Sequence, residues 1–511
     1  MFERAVKSAA KKIAGAKVRA RVKRAETGAV EKIEGPVITL SGLSGAGLGE
    51  MIEIAGEKAI AMKLCRERVG AALLGSPDKI KAGALARRTF RLATVPVGEA
   101  LLGRIIDPLG RALDGGPAIH AKEQLPIERP APAIIDRAPV ERPLQTGVKL
   151  VDAMIPIGRG QRELILGDRQ TGKTALALDA IIAQKDTGVI SIYCAIGGRG
   201  DSVLKAAEAI REHGRGENSI IVAAAGEASP AAAYIAPYAA TSIAEYFAEK
   251  GKDVLVVYDS LSAHALAYRQ LSLTLRRPPG REAFPSDVFY IHSRLLERAC
   301  RLKRERGGGS ITALPICETQ GENLSAFIPT NLISITDGQI FLSSTLFQKG
   351  IIPAANVGIS VSRVGGRAQA PAYKEAAGEM KIAYSQFEEL EAFSKFGTSL
   401  DEATRAALTR GERVREILKQ PQLSPVSAGL QTATIMALNA GLFDRVPMGK
   451  IAAAESALHA ALSRTAKALL SRIEKGARLS KAEEKALSAA SAAALRRYFA
   501  KEKGGADHTG A

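Results

Sequence analysis

The stretch Gly167-Asp168-Arg169-Gln170-Thr171-Gly172-Lys173-Thr174 has the pattern G-x-x-x-x-G-K-[ST]. A short, mainly apolar run at residues 162–166 comes before it and predicts a buried strand, and residues 175–184 have a helix-forming composition. A strand, a glycine-containing loop and a helix in this order direct backbone N–H groups towards a chain of phosphates. We therefore predict a nucleotide phosphate loop, in which Lys173 reaches the β- and γ-phosphates and the Thr174 hydroxyl ligates Mg²⁺.

The second half of such a site should come from a strand that ends in an acidic residue. Residues 253–259, Asp-Val-Leu-Val-Val-Tyr-Asp, fit this description, and Asp259 is the last of them. Because a phosphate loop lies upstream, we expect Asp259 to contact the Mg²⁺ ion directly or through one of its other ligands.

Hydrolysis also requires a group that orients the attacking water, usually Glu or Gln in this type of fold. The loop at residues 195–201 is where we expect this group, but it offers glycines there. Asp201 is the acidic candidate, although its side chain is short and it comes late in the loop. The sequence therefore predicts a site that holds MgATP and turns it over slowly.

The composition limits the class of protein. A length of 511 residues is enough for several domains, and a hydrophobic content of 46% is typical of folded cores. The net charge is +18, to which residues 1–25 contribute nine basic side chains against Glu3 alone. The four cysteines form no C-x-x-C motif, which favours a reducing compartment, and the six histidines show no metal-binding spacing. No apolar run is long enough to span a bilayer.

The chain divides into four segments. We predict a basic N-terminal arm at residues 1–25, a β-barrel domain at 26–92, a phosphate-loop domain at 93–372 and a helical domain at 373–511. Short β-like pieces between glycine turns indicate the barrel. Strands that alternate with helices indicate a mainly parallel sheet with helices on both faces, and the strand candidates are residues 164–166, 189–193, 219–223, 254–258 and 311–315.

The last segment has the composition and periodicity of long helices. One predicted helix presents a single apolar face formed by Leu458, Leu462, Leu469 and Ile473. Ser480 and Glu483 have the spacing of a capping box at the start of a final helix.

Several long runs of the sequence resemble the α subunit of F-type ATP synthases, from about residue 27 to about residue 444. Gln170 matches the phosphate loop of the α subunits rather than that of the β subunits. The other matching runs are residues 144–147, 156–163, 268–270, 276–283, 292–298, 328–331 and 334–339. The resemblance implies a small N-terminal β-barrel, a central RecA-like α/β domain with the phosphate loop, and a C-terminal α-helical domain.

The resemblance also implies an assembly. Three α chains alternate with three β chains around a rotating γ shaft, and the α chains bind nucleotide without turning it over. The β chains then make ATP from ADP and phosphate, driven by an ion gradient. A peripheral-stalk subunit would meet the N-terminal arm, the membrane would be reached only through the ion-conducting sector, and no nucleic acid would be bound. The expected location is the cytoplasmic face of a bacterial inner membrane.

Particular residues match the functional positions of this family. The resemblance assigns Gly167, Asp168, Arg169, Gln170, Thr171, Gly172, Lys173 and Thr174 to ATP or ADP, Thr174 and Asp259 to Mg²⁺, Gln420 and Gln422 to the surroundings of the adenine, and Phe347 and Pro353 to the loop beside the base. It assigns Ser360 and Arg363 to the α/β catalytic interface. In a ring, Arg363 can enter the site of a neighbour as an arginine finger, which contributes about 10³–10⁵ in rate.

The sequence departs from the family at three positions. The family usually has Gln in place of Gly198, Arg in place of Ile352 and Asp in place of Ser260. These changes remove polar groups near the phosphates, the metal and the base, so the nucleotide is expected to bind weakly or not at all. The basic arm has about the length of the N-terminus of a mature α subunit, so we expect a bacterial protein rather than one with a transit sequence. The arm and the tail both diverge from the family. We therefore expect an additional ATP synthase of a bacterial host.

Two other functions fit part of the sequence. A self-sufficient RecA-like ring ATPase that moves nucleic acid would explain the charge of +18, but aromatic residues make up only 5% of the chain and there is no Trp for base stacking. A secretion-type ATPase would require a carboxylate in place of Gly198.

Overall fold

The computed structural model describes residues 26–394 and 402–506, so the predicted basic arm lies outside the described residues. The chain divides into two compact units, Met1–Arg91 and Leu92–Ala511. Within the described ranges, no helix is long and apolar enough to cross a membrane.

The first unit contains the predicted barrel. Six antiparallel strands close on each other in the order β1-β2-β5-β4-β3-β6. Ile38 and Leu40 of one strand are fully buried and belong to the hydrophobic core of the barrel. The strands are β1 (Thr27–Glu34), β2 (Val37–Ser41), β3 (Glu50–Ile54), β4 (Glu57–Leu64), β5 (Arg68–Leu73) and β6 (Leu85–Leu92).

The described residues of the second unit form fourteen strands. They are β7 (Thr94–Val97), β8 (Ile105–Ile106), β9 (Glu123–Pro126), β10 (Arg137–Ala138), β11 (Pro143–Leu144), β12 (Ile157–Gly158), β13 (Leu164–Gly167), β14 (Ile190–Ile196), β15 (Ser219–Ala224), β16 (Asp253–Asp259), β17 (Arg301–Leu302), β18 (Ser310–Glu318), β19 (Gly338–Leu342) and β20 (Val361–Ser362).

The main sheet runs in the order β20-β19-β13-β18-β16-β14-β15-β8. All neighbours from β19 to β8 are parallel, whereas β20 pairs with β19 in the antiparallel direction. Every residue of β14 and β15 is buried, as expected for parallel strands covered on both faces. The five predicted strands are confirmed, and the sheet also contains β8, β19 and β20, which are not among those five.

Helices follow most of these strands. They are α1 (Lys149–Met154), α2 (Lys173–Ile182), α3 (Gly200–His213), α4 (Pro230–Glu249), α5 (Leu261–Thr274), α6 (Val288–Leu296), α7 (Phe327–Ile335), α8 (Ser344–Gln348), α9 (Pro371–Ser394), α10 (Glu402–Leu418), α11 (Ala428–Asn439), α12 (Ile451–Thr465), α13 (Lys467–Glu474) and α14 (Lys481–Ala506). The helices from α9 onwards confirm the predicted helical segment.

The single helix predicted for residues 458–473 is wrong in one respect. The chain leaves the helical conformation at Ala466, where φ is −125° and ψ is 20°, so α12 and α13 are separate helices. Leu458 and Leu462 stay buried, but after the break Leu470 is buried more fully than the predicted Leu469. After the break the packing differs, since α12 packs mainly against α14 and α13 mainly against α11. By contrast, the capping box is confirmed, since Ser480 N donates to Glu483 Oε2 at 2.8 Å.

A buried ion pair ties α4 to the end of α6. The Arg298 side chain is only 1% exposed and donates to Glu245 Oε1 and Oε2 at 2.7 and 2.9 Å. Its remaining donors reach Ser242 Oγ and the carbonyl of Ile127. Each buried charge is therefore paired and hydrogen-bonded, which is the condition for tolerating charge in a core.

We predict that Arg298→Met destabilises the fold by about 3 kcal/mol, because it leaves the Glu245 carboxylate buried with less compensation. Denaturant unfolding of the isolated chain measures this difference. The matched control is Arg215→Met, which removes an exposed pair with Glu217 and should cost less than about 1 kcal/mol. Equal effects of the two substitutions would contradict the prediction.

Candidate nucleotide site

The phosphate loop joins β13 to α2 and keeps its backbone accessible. Gly167 lies so close to Leu342 that a Cβ there would stand 2.7 Å from the Leu342 carbonyl oxygen. Gly172 precedes the first turn of α2 with a φ of 97°, which a side chain would strain. The N–H groups at the start of this helix therefore face the end of the sheet, where an anion can approach them.

The Asp168 carboxylate holds the loop in place. Its oxygens accept hydrogen bonds from Thr319 Oγ1 at 2.6 Å, from the backbone N–H of Glu322 at 3.0 Å and from Ser344 Oγ at 3.2 Å. Burial acts to raise the pKa of Asp168, but these hydrogen bonds outweigh it, and the pKa lies below the ordinary value. Asp168 is thus a charged clamp between the loop, the segment after β18 and α8.

Two basic side chains accompany the loop. Lys173 is buried and its Nζ donates to the Asp168 carbonyl oxygen at 2.5 Å. Burial lowers the pKa of Lys173, although Glu318 and Asp259 nearby counteract this effect. Arg169 is exposed and pairs with Glu318 at 3.2 Å. A phosphate group would give both cations a stronger partner than they have within the chain.

The residues predicted for the metal lie together. Thr174 Oγ1 donates to Asp259 Oδ2 at 2.7 Å, and Tyr193 donates to the same oxygen at 2.8 Å. Burial raises the pKa of Asp259. A hydroxyl and a carboxylate are the oxygen donors that Mg²⁺ prefers beside nucleotide phosphates, so these residues fit the ion. No group of three or more His, Cys, Asp or Glu side chains in the described part of the chain could bind a metal by itself.

The loop expected to carry a water-orienting group does not present one. Gly197 and Gly198 adopt φ values of 68° and 77°. Asp201 is exposed in the first turn of α3 and pairs with Arg199 at 3.2 Å. A Cβ at Gly198 would meet nothing closer than Ser202 Oγ at 4.0 Å, so there is space for a side chain that this sequence lacks.

A cavity of about 570 Å³ lies beside the phosphate loop and brings the predicted base-side residues together. Phe347, Ile352 and Pro353 form an apolar wall, and α10 and α12 contribute the opposite side. Asp179 of α2 and Glu455 of α12 add buried carboxyl groups to this cavity. Its size and mainly apolar lining suit a flat heterocycle.

The two predicted glutamines differ in their surroundings. Gln420 is buried, and its amide donates to the carbonyls of Gly147 and Ser424 and accepts from the Lys149 N–H. Both of its N–H groups are therefore used within the chain. Gln422 is exposed, and its side chain remains available to a ligand.

The remaining predicted residues lie elsewhere. Ser360 is buried, where its hydroxyl donates to the Asn356 carbonyl and accepts from the Phe341 N–H. Arg363 is exposed after the edge strand β20 and lines a cleft of about 1180 Å³ that shares no residue with the base-side cavity. We call it the arginine cleft. Within the described residues the Arg363 guanidinium has no hydrogen-bond or ion-pair partner.

Several residues of the candidate nucleotide site were not predicted from the sequence. Glu318 ends β18 and pairs with Arg169, so a search for acids at strand ends would have found it. Tyr193 and Asp179 carry no such signal, because they lie inside a strand and a helix. Lys149 forms a buried ion pair with Glu455 at 2.6 Å across more than 300 residues, which sequence spacing cannot indicate.

Comparison with known proteins gives consistent matches. The nucleotide-binding domain of the ATP synthase alpha/beta family matches residues 147–362, and the C-terminal domain of the ATP synthase alpha/beta chain matches residues 369–494. The chain is 54% identical to ATP synthase subunit alpha 2 of Nitrosospira multiformis over 90% of each chain. It is 56% identical to ATP synthase subunit alpha 2 of Syntrophotalea carbinolica over 85% of this chain and 84% of the relative. For ATP synthase subunit alpha 1 of Chlorobium luteolum, the identity is 52% over 92% and 93%.

The buried Asp179 carboxyl provides a test of the cavity. It accepts one hydrogen bond, from the Leu423 N–H at 2.6 Å, and burial raises its pKa from 3.8 to about 6. The folded chain therefore holds this proton more tightly than the unfolded chain, and ionisation lowers stability as the pH rises from 3.8 to about 6. We predict that Asp179→Asn stabilises the chain by up to about 3 kcal/mol above this range.

Denaturant unfolding at a series of pH values measures the effect, which should shrink as the pH falls through about 6. Asn keeps a carbonyl oxygen for the Leu423 N–H, so the hydrogen bond is retained. The control Asp186→Asn changes an exposed carboxyl just after the same helix and should have an effect below about 0.5 kcal/mol. A stabilisation independent of pH would exclude the ionisation of Asp179 as its cause.

Proposed function

Because the chain belongs to the ATP synthase alpha/beta family, and to its alpha type, we propose that it binds MgATP at the phosphate loop and lends Arg363 to the catalytic site of a neighbouring β subunit. It is a non-catalytic, nucleotide-binding subunit of an F-type ATP synthase.

One observation carries the role of Arg363. Its guanidinium is exposed, lacks an ion-pair partner among the described residues and lines a cleft separate from the chain's own base-side cavity. A cation placed in this way cannot act on a phosphate bound by its own chain, but it is accessible to a neighbouring molecule. In a ring, it would stabilise the charge that develops on the transferred phosphoryl group. Ser360 supports the backbone just before it.

The chain's own site supplies the parts of a nucleotide clamp. Residues 167–174 would hold the phosphates, with Lys173 as the point charge, and Phe347, Pro353 and Gln422 would contact the base. Gln420 would shape the cavity through its backbone contacts. Thr174 and Asp259 would hold Mg²⁺, which neutralises phosphate charge when it is bound. The glycines at 197 and 198 offer no group to orient a water, which supports slow turnover.

The three departures from the family support weak binding at this site. Ser260 uses its hydroxyl to cap α5, where it accepts from the Ala263 N–H at 3.3 Å, and it brings no second carboxylate to the metal. Ile352 is 43% exposed and adds apolar surface to the base side. Together with Gly198, these positions leave the nucleotide held mainly through its phosphates.

The proposed assembly is an alternating hexamer with β subunits around the γ shaft, with a peripheral-stalk subunit at the N-terminal arm. We propose that it works at the cytoplasmic face of a bacterial inner membrane, as an additional ATP synthase of its host. A nucleic-acid translocase is not favoured, because the relatives are alpha subunits of ATP synthases. A secretion-type ATPase is not favoured either, because position 198 holds a glycine and not an acidic residue.

We predict that Arg363→Ala lowers the multisite ATPase rate of the complex with its β subunit by about 10³-fold, because the transition state loses an arginine finger. Assembly of the head, followed by native mass spectrometry, and steady-state kinetics give the two readouts. The control Arg211→Ala removes an exposed cation from α3 and should leave the rate unchanged. An unchanged rate for Arg363→Ala in an assembled head would refute the finger.

We predict that Lys173→Ala weakens MgATP binding by the purified chain by about tenfold to a hundredfold, because a charge-assisted contact to the phosphates is lost. Titration with a fluorescent ATP analogue measures the Kd. Lys185→Ala, at an exposed position beyond the same helix, is the matched control. Equal Kd values for all three proteins would show that the nucleotide does not use the phosphate loop.

A further inference from the structure

The base-side cavity contains a buried carboxyl group with unused hydrogen-bonding capacity. Asp179 lines this cavity and is only 5% exposed. Its Oδ1 accepts from the Leu423 N–H at 2.6 Å, and within the described part of the chain Oδ2 has no hydrogen-bond partner. A buried polar atom without a partner costs free energy, which a ligand recovers when it supplies the missing hydrogen bond.

The other carboxyl groups that line this cavity are already paired. Both oxygens of Glu455 accept from a buried lysine, at 2.6 and 2.8 Å. Glu416 pairs with Lys419 at 2.7 Å. The buried amide of Gln420 gives its hydrogens to two backbone carbonyls. Among the carboxyl groups of the cavity in the described residues, Asp179 is therefore the one without an ion-pair partner.

The two purine bases present different hydrogen-bonding edges to a carboxyl group. Guanine offers two neighbouring donors, N1–H and N2–H, which suit an ionised carboxylate because it only accepts. Adenine offers the N6–H donor beside the N1 acceptor, which suits a protonated carboxyl that donates through its O–H and accepts through its other oxygen. An ionised carboxylate opposite adenine would instead place two lone pairs against each other at N1.

We propose that Asp179 selects the base at this site, taking guanine when its carboxyl is ionised and adenine when its carboxyl is protonated. The inference rests on the proposed function, because it requires that the phosphate loop holds the triphosphate, and it adds a base specificity to that site. Phe347, Ile352 and Pro353 offer apolar contacts, which either purine ring can use. The choice between the two rings is therefore left to the carboxyl group.

The ionisation of Asp179 falls in a pH range that experiments can reach. Burial raises the pKa of this carboxyl from 3.8 to about 6, and the hydrogen bond from Leu423 only partly opposes the effect. In the empty site the group is therefore mainly ionised at neutral pH and mainly protonated at about pH 5. The base that binds better should change between these two conditions.

The charged groups of the surrounding elements supply no cation to Asp179 within the described ranges. The charges of α1 and α12 form one ion pair, and Glu416 with Lys419 at the end of α10 form another. The histidine of α12 is uncharged at neutral pH, because burial lowers its pKa to about 4. The buried side chains of α3 are all apolar, and the acids that end β16 and β18 act on Lys173 in the first turn of α2. The other groups concerned are Lys149, Glu455, His459, Asp259 and Glu318.

The ratio of two dissociation constants tests the proposal. MgATP and MgGTP each compete with a fluorescent ATP analogue for the purified chain at about pH 5 and at about pH 8. The ratio of the Kd for GTP to the Kd for ATP cancels the protonation of the phosphates, which both nucleotides share. We expect the ratio to lie above one at the lower pH and below one at the higher pH, with a total change of about tenfold to a hundredfold. A ratio that stays constant with pH would overturn the proposal.

Variants of the carboxyl group identify it as the source of the change. Asp179→Asn always presents a donor beside an acceptor, so it should prefer ATP at both pH values and lose the pH dependence. Asp179→Ala presents neither group and should bind the two nucleotides about equally. The control Asp186→Asn removes an exposed carboxyl just after the same helix and should behave like the unaltered chain. If Asp179→Asn keeps the pH-dependent ratio, another group selects the base and the proposal is wrong.

Lys173→Ala separates a failure of base selection from a failure of the proposed function. It should weaken both nucleotides alike and leave their ratio unchanged, because the lysine acts on the phosphates. If it weakens both while the ratio is independent of pH in the unaltered chain, the phosphate loop stands and base selection by Asp179 is wrong. If it binds normally while the ratio still follows Asp179, base selection stands and the proposed function fails at the phosphate loop.

Discussion

The Asp168 carboxylate is the contact on which the nucleotide site depends. A phosphate loop must leave its N–H groups free for a ligand, so few backbone hydrogen bonds can hold it. The Asp168 side chain holds the loop instead. Its carboxylate accepts hydrogen bonds from Thr319, Glu322 and Ser344, which belong to two other segments of the chain. The Lys173 ammonium donates a hydrogen bond to the backbone carbonyl of Asp168.

A second constraint is the placement of charge in a basic protein. Two buried cations each pair with a carboxylate: Arg298 with Glu245 and Lys149 with Glu455. The Lys149–Glu455 pair also links the lead-in to the phosphate loop with α12 and borders the base-side cavity. Arg363, which forms no side-chain hydrogen bond or ion pair with the described residues, lies at the surface instead, where solvent or a partner can compensate its charge without a large desolvation cost.

Much of this could be anticipated from the order of residues along the chain. The strand, loop and helix at residues 164–182 have local signals, and Asp259 ends an apolar strand at the edge where parallel strands present their carboxyl ends. By contrast, β20 has only two residues, and α12 and α13 separate at Ala466 without a proline or glycine to mark the break. β20 pairs with β19, while α12 packs mainly against α14 and α13 against α11, and local periodicity does not indicate these contacts.

The sequence alone determined the phosphate-binding motif, the alternation that makes a parallel sheet and the lack of a carboxylate at Gly198, because each depends on residues that are close together in the chain. Only the tertiary structure decided that both amide N–H groups of Gln420 donate to backbone carbonyls, that Asp179 lies in the base-side cavity and that Arg363 lines a separate cleft. The reason is physical: hydrogen-bond saturation, burial and charge balance depend on which distant segments pack together, and local spacing does not encode that information.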